Sequence, residues 1–262
     1  MTTARWSRAL VTGASSGIGD ALARQLAAAG TNLVVVARSR DRLEVLAKEL
    51  ADAHGIDVEV LAADLGDRIE LGAVEDRVRD GDPIDLLINN AGFGSQGRFW
   101  ELDLAGEQAE VDLNIDAVVR LSHAALASMV PRGTGALVNV SSLGSLSPVP
   151  MMATYGATKA FVTSFTEALH EELRGTGVSA TAVLPGFIRT EFQDRAGLSE
   201  SGGIPEFAWM TPDAVARDAL VAAAAGKATC VPGLGYRVAS GVIAPVPRML
   251  RRRIAGVMSK SF

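Results

Sequence analysis

Cysteine, histidine and tyrosine are scarce in this chain: one, three and two among 262 residues. A lone Cys230 leaves no partner for an intrachain disulfide and no basis for a cysteine metal cluster. No metal site is expected, and the thiol reads as a small buried strand residue in a reducing compartment. No apolar run approaches the roughly 18 residues of a membrane span, and the opening MTTARWSRALVTG lacks the apolar core and cleavage site of a secretory signal. The expectation is a cytoplasmic protein. Basic residues are not in excess either: the formal charge is −5, which gives no overall field for nucleic acid, and no nucleic-acid partner is expected.

What is present is apolar and alternating. With 48% hydrophobic residues the chain is long enough for one large α/β core. β-rich apolar runs at 9–12, 32–37, 57–62, 84–89, 135–141, 178–184 and 229–232 alternate with helical periodicity at 18–29, 40–54, 68–79, 106–129, 154–174 and 212–225. That alternation predicts a doubly wound Rossmann domain over residues 1–262, a seven-stranded parallel sheet with helices on both faces. Two stretches break the rhythm. Residues 190–211 form a long Gly- and Ser-rich segment holding Phe192, Phe207, Trp209 and Met210, read as a substrate lid. Residues 233–262 end in a basic amphipathic tail with Arg248, Arg251, Arg252, Arg253 and Lys260. A helix docked on the body or on a second subunit accounts for the tail better than contact with anionic lipid or an acyl-CoA phosphate.

The stretch LVTGASSGIG reads two ways. Gly13, Ser15 and Gly17 spell the G-x-S-x-G of a hydrolase nucleophile elbow, whereas Gly13, Gly17 and Gly19 have the spacing of a dinucleotide cradle. The elbow needs a histidine late in the chain. His54, His123 and His170 all lie in predicted helices, and no histidine follows residue 170. The cradle has a use for each glycine: Gly13 for the turn, Gly17 for close approach of backbone to pyrophosphate, Gly19 for packing helix on sheet. Ser15, Ser16 and Ile18 complete the loop. At the end of the second strand, VVVARSRDR places Ala37 where an acid would bind the ribose of NAD, followed by Arg38. An arginine there suits a 2′-phosphate, so NADP(H) is the expected cofactor.

In YGATK, Tyr155 and Lys159 are four apart and share a helix face, and Ser142 ends the fifth strand thirteen residues earlier. Together with TGASSGIG, ADL at Ala63, NNAG at Asn89, Asn114 in VDLNIDAV, VNVSS and PGFIRT at Pro185, this order resembles the short-chain dehydrogenase/reductase family over nearly the whole chain to about Thr190. CVPGL and the basic tail are similar to the branch holding 17-beta-hydroxysteroid dehydrogenases and 3-oxoacyl-CoA reductases.

The resemblance implies that Tyr155 is the general acid or base, Lys159 lowers its pKa and binds the nicotinamide ribose, Ser142 polarises the substrate oxygen and Asn114 holds a water in the proton path. Asp64 and Leu65 would border the adenine, Asn90, Ala91 and Gly92 pass along the cofactor, and Pro185, Gly186, Ile188 and Thr190 meet its nicotinamide end. Asp64 also reads as a helix cap and Asn114 as a buried polar bridge, while Ser141 reads as structural. Phe93, Met151, Met152 and Phe187 are candidate walls beside Ser142, which points to an apolar ketone, aldehyde or alcohol. The rival reading is a non-catalytic dinucleotide sensor or scaffold. Helices 106–129 and 154–174 resemble the family's dimer-forming pair, so a homodimer or homotetramer is expected.

Overall fold

Seven short apolar runs pair side by side to form the sheet. In the computed structural model, which describes residues 5–189, 206–243, 246–247 and 249–253, they are β1 Arg8–Thr12, β2 Asn32–Ala37, β3 Val58–Ala62, β4 Leu86–Asn89, β5 Gly135–Val140, β6 Val178–Val183 and β7 Thr229–Cys230. All are parallel in the order β3-β2-β1-β4-β5-β6-β7. Helices α1 Gly17–Ala28, α2 Arg40–His54, α3 Arg68–Asp80, α4 Leu104–Val111, α5 Ala117–Arg132, α6 Ala153–Glu172 and α7 Pro212–Ala224 make the connections, and α8 Leu234–Ile243 follows β7.

The strand period of two splits the core between the faces of the sheet. Ala9 and Val11 of β1 meet α1, α2 and α7 through Leu22, Leu26, Leu43 and Val215, whereas Leu10 meets α3 and α5 through Leu71, Val74, Leu121 and Met129. Each such fully buried Leu or Val contributes about 1.5–3 kcal/mol of burial free energy. Helix ends follow local chemistry. Asp67 caps α3 through the N–H groups of Ile69 and Glu70, Thr211 caps α7 ahead of Pro212, and Gly55 (φ 65°) closes α2 in the left-handed conformation.

The strands and helices fall within about two residues of their expected bounds, with two departures. The expected helix 106–129 is α4 and α5 joined by a π-turn, Asp112–Asp116, which carries Asn114. Helix α8 was not expected; it begins two residues after Pro232. The chain runs outward from β1 to β3, then returns to place β4 on the other side of β1. The cleft opens at that reversal, beyond the carboxyl ends of β1 and β4.

Candidate active site

The loop from β1 into α1 is built around missing side chains. Gly13 and Gly17 take φ of 67° and 59°, where L side chains are strained. A Cβ on Gly19 would lie 2.2 Å from the Gly13 carbonyl oxygen, and one on Gly13 would lie 2.8 Å from Asn90 Nδ2. Thr12 ties this loop to the one after β4. Its buried hydroxyl donates to the Ile88 carbonyl (3.3 Å) and accepts from the N–H groups of Asn90 (2.9 Å) and Ala91 (3.0 Å). The Asn90 amide returns a bond to the Thr12 carbonyl at 2.9 Å. The sequence reading missed this role of Thr12; a small hydroxyl at a strand end next to a glycine turn was the available signal.

Ser15, Ser16, Gly17 and Ile18 line a cleft of about 830 Å³ that runs across the strand ends. Ser16 sits at the head of α1 with no side-chain cap, so nothing from that side chain competes for the helix N–H groups. A glycine-walled turn that would clash with a Cβ, facing a helix N-terminus, fits the pyrophosphate of a dinucleotide. Beyond the carboxyl ends of β2 and β3 the cleft is bounded by Ala37, Arg38, Arg42, Asp64 and Leu65. The Arg38 side chain is 71% exposed and its guanidinium lies 4.0 Å from Asp64 Oδ2. Asp64 is not the cap of α3. Its Oδ1 accepts from the Gly66 N–H (2.9 Å), while Asp67 does the capping.

At the other end β5 delivers Ser142 and α6 delivers Tyr155 and Lys159. The hydroxyls of Ser142 and Tyr155 are hydrogen-bonded, and Ser142 Oγ also accepts from the Gly144 N–H at 3.0 Å. Lys159 Nζ donates to the Val140 carbonyl at 2.9 Å and lies 5.9 Å from the Tyr155 ring centre. Burial pushes the Tyr155 phenol up to about 12, against the pull of its Ser142 bond. Burial likewise draws the Lys159 ammonium down to about 8, opposed by the charge of Glu110. The Ser141 hydroxyl bonds the Lys159 carbonyl (2.8 Å) and Thr163 (2.7 Å).

The remaining expected residues divide. Asn90, Ala91, Gly92, Phe93, Met152, Pro185, Gly186, Phe187 and Ile188 all line the cleft. Asn114 is buried behind it, with its amide spent on the Phe93 backbone (3.2 and 2.8 Å) and on Thr158 (3.1 Å). Met151 is not among the lining residues; it sits in a left-handed turn (φ 69°) whose carbonyl accepts from the Gly97 N–H. Thr190 and residues 190–205 of the expected lid lie outside the described residues. The end of that segment folds back, with Met210 N–H donating to the Phe187 carbonyl (2.9 Å) and Phe187 against Trp209 at 5.8 Å.

Tyr236 of α8 is a wall residue the sequence reading missed. Its hydroxyl accepts from the Phe187 N–H (3.1 Å) and donates to the Ala208 carbonyl (2.6 Å). Its ring occupies the space a Gly186 side chain would need, 2.2 Å from an added Cβ.

The family model "short chain dehydrogenase" matches residues 7–200, about three quarters of the chain. The chain belongs to the short-chain dehydrogenase/reductase family. It is accordingly an oxidoreductase that interconverts alcohols and carbonyls with NAD(P)(H). A solved short-chain dehydrogenase from Sphingobium yanoikuyae in complex with NADPH is 38% identical, with a TM-score of 0.82 over 92% of this chain and 96% of that one. The very-long-chain 3-oxoacyl-CoA reductase of Anas platyrhynchos is 31% identical over 81% of this chain and 67% of its own length. Matches to the same reductase from Homo sapiens and Macaca fascicularis span 60% of their length. Sulfoacetaldehyde reductase 2 of Chromohalobacter salexigens is 39% identical over 70% of this chain and 73% of its own length.

Among the described residues of this family member, no cluster of three or more His, Cys, Asp or Glu is arranged to hold a metal, and no helix is long and apolar enough to cross a membrane. Within the tail, the Arg251 guanidinium donates to the Leu146 carbonyl, which sets that part of the chain against the turn after β5.

Proposed function

We propose that this short-chain dehydrogenase/reductase is an NADP(H)-dependent reductase of apolar ketones or aldehydes, with Tyr155 as the proton donor. The carrying observation is the Ser142–Tyr155–Lys159 arrangement at the opposite end of one cleft from the glycine cradle. When bound, the nicotinamide supplies the hydride. Every other step falls to the protein. Gly13, Ser15, Ser16, Gly17 and Ile18 receive the pyrophosphate, with Gly19 letting α1 approach, and Arg38 receives the 2′-phosphate. Asp64 and Leu65 flank the adenine; Asn90, Ala91, Gly92, Pro185, Gly186 and Ile188 flank the rest.

A substrate carbonyl oxygen is held between the hydroxyls of Ser142 and Tyr155. As negative charge develops there, both hydroxyls donate to it and Tyr155 gives up its proton. A phenol pushed up by burial is protonated at neutral pH, which suits it to this donation. The Lys159 ammonium then stabilises the phenolate left behind. Asn114, in the π-turn, fixes the Phe93 backbone beside this path and holds the water through which the proton is resupplied.

Phe93, Met152 and Phe187 supply apolar, adaptable walls, and Tyr236 narrows the cleft on the Gly186 side. These walls support an apolar substrate; the relatives range from a very-long-chain 3-oxoacyl-CoA reductase to a sulfoacetaldehyde reductase. Self-association through the faces of α5 and α6 belongs to the same reading. Phe161, partly exposed on α6, stacks on Phe165 at 5.6 Å.

The test is NADPH oxidation against a panel of ketones, aldehydes and 3-oxoacyl thioesters. Turnover of at least one apolar carbonyl is expected. A flat response across the panel, with NADPH still bound, would favour a non-catalytic dinucleotide-binding protein instead.

A further inference from the structure

The strap that follows β4, residues 92–95, meets a side chain of the site at each position. A Cβ on Gly92 would lie 2.8 Å from Asn114 Oδ1 and 3.4 Å from Lys159 Nζ, and one on Gly94 would lie 2.7 Å from the Tyr155 ring. Phe93 between them is bonded through its N–H and its carbonyl to the Asn114 amide. The last hold is on Ser95, whose N–H donates to Glu110 Oε2 at 2.9 Å.

Glu110 is 0% exposed, and its other oxygen, Oε1, has no hydrogen-bond partner. A buried carboxylate with an unpaired oxygen is costly, and a neutral side chain would avoid that cost. The groups facing it are few. Glu107 lies one turn earlier on α4, also buried, with Oε2 taken by Thr154 and Oε1 unpaired. From α6 come Tyr155 and Lys159, and from the strap comes Ser95. Of these, only Lys159 is a cation. Its hydrogen-bond acceptor, the Val140 carbonyl, is neutral, and Lys159 is 6% exposed, so its charge is opposed by burial and supported by Glu110.

We propose that Glu110 is a positioning residue of the proton-transfer site: it pins the strap against Tyr155 through Ser95 and supplies the negative charge that keeps the buried Lys159 ammonium protonated. This rests on the reading of Tyr155 and Lys159 as the proton-transfer pair. The coupling of Glu110 and Lys159 is mutual, set against a burial that raises the Glu110 pKa on balance. Burial raises the Glu110 pKa, the Ser95 hydrogen bonds lower it, Glu107 raises it and Lys159 lowers it. In turn Glu110 raises the pKa of both Lys159 and Tyr155. Losing its charge therefore lowers both, and moves the whole pH profile of alcohol oxidation downward. Losing only the strap contact changes its height.

Glu110→Gln separates the two, because the amide oxygen still accepts from Ser95 while the charge is gone. Two readouts are taken on wild type and variant: the pH profile of kcat for alcohol oxidation, and the NMR titration of the 13Cε resonance of Lys159, one of four lysines in the chain. Both limbs of the profile and the Lys159 titration are expected to fall by about half to one pH unit. Superimposable profiles with an unmoved Lys159 titration would overturn the proposal, as would a uniform loss of kcat without a shift. Should Glu110→Gln fail to fold, wild type alone decides: Lys159 is expected to be an ammonium at pH 7, and a neutral Lys159 there would overturn the charge role. A wild type that turns over no carbonyl contradicts the proposed function, and the Lys159 titration still judges Glu110.

Discussion

Replacing Thr12 by valine removes one hydroxyl and leaves the side-chain shape almost unchanged, yet it strips three hydrogen bonds from the junction of two loops. Thr12 is 1% exposed, and its hydroxyl is the acceptor for the N–H groups of Asn90 and Ala91 at 2.9 and 3.0 Å. Valine leaves both donors without that partner, at about 1–3 kcal/mol each. The donated bond to Ile88, at 3.3 Å, adds little. A total near 3 kcal/mol lowers the melting midpoint of a chain this size by roughly 6–12 °C. Thermal unfolding followed by circular dichroism measures it, with Thr12→Ser, which keeps the hydroxyl, as the control expected within about 1 kcal/mol of wild type. NADPH affinity is expected to fall with Thr12→Val, because the backbone of Asn90 and Ala91 lines the cleft. A midpoint within about 2 °C of wild type would refute the claim that Thr12 joins the glycine loop to the β4 loop.

Arg38→Ala is expected to lower the NADPH-over-NADH preference in kcat/KM by roughly tenfold, the scale of one charge-assisted contact discounted for a 71% exposed side chain. An unchanged preference would remove Arg38 from the 2′-phosphate site. The pH profile of ketone reduction is expected to be level through neutrality and to decline as pH passes about 8, where Lys159 loses its proton while Tyr155, near 12, remains a donor. A plateau extending past pH 10 would contradict it. Gly19→Ala is expected to destabilise by about 1–3 kcal/mol despite alanine's better helix propensity, because the new Cβ meets the Gly13 carbonyl at 2.2 Å. Chemical denaturation measures this, and a neutral or stabilising result would refute close packing of α1 on the loop.

The parts legible in the sequence are those written in local pattern. Val-rich runs such as 33–36 mark buried parallel strands, and Tyr155 with Lys159 share a helix face through i,i+4 spacing alone. The parts that escaped depend on long-range placement. Glu107 and Glu110 carry no local signal of burial, and packing beside α6 buries them. The π-turn at Asn114 adds a single wide turn between two helices and leaves no periodicity break long enough to read. Met151 and Met152 are chemically alike, and only the folded chain tells Met152, which lines the cleft, from Met151 in its left-handed turn. Tyr236 lies 49 residues from Phe187, so its two bonds to the cleft loops follow from tertiary structure.

Tyr155→Phe tests the central claim most directly, because it deletes the single atom proposed to carry the proton while leaving the ring that packs on Gly94. Steady-state carbonyl reduction and NADPH binding by fluorescence are measured on the same preparation. Turnover is expected to fall by at least about 10²–10⁴-fold, with NADPH affinity close to wild type. Turnover within about tenfold of wild type, where general acid catalysis alone supplies more than that, would contradict the assignment of Tyr155.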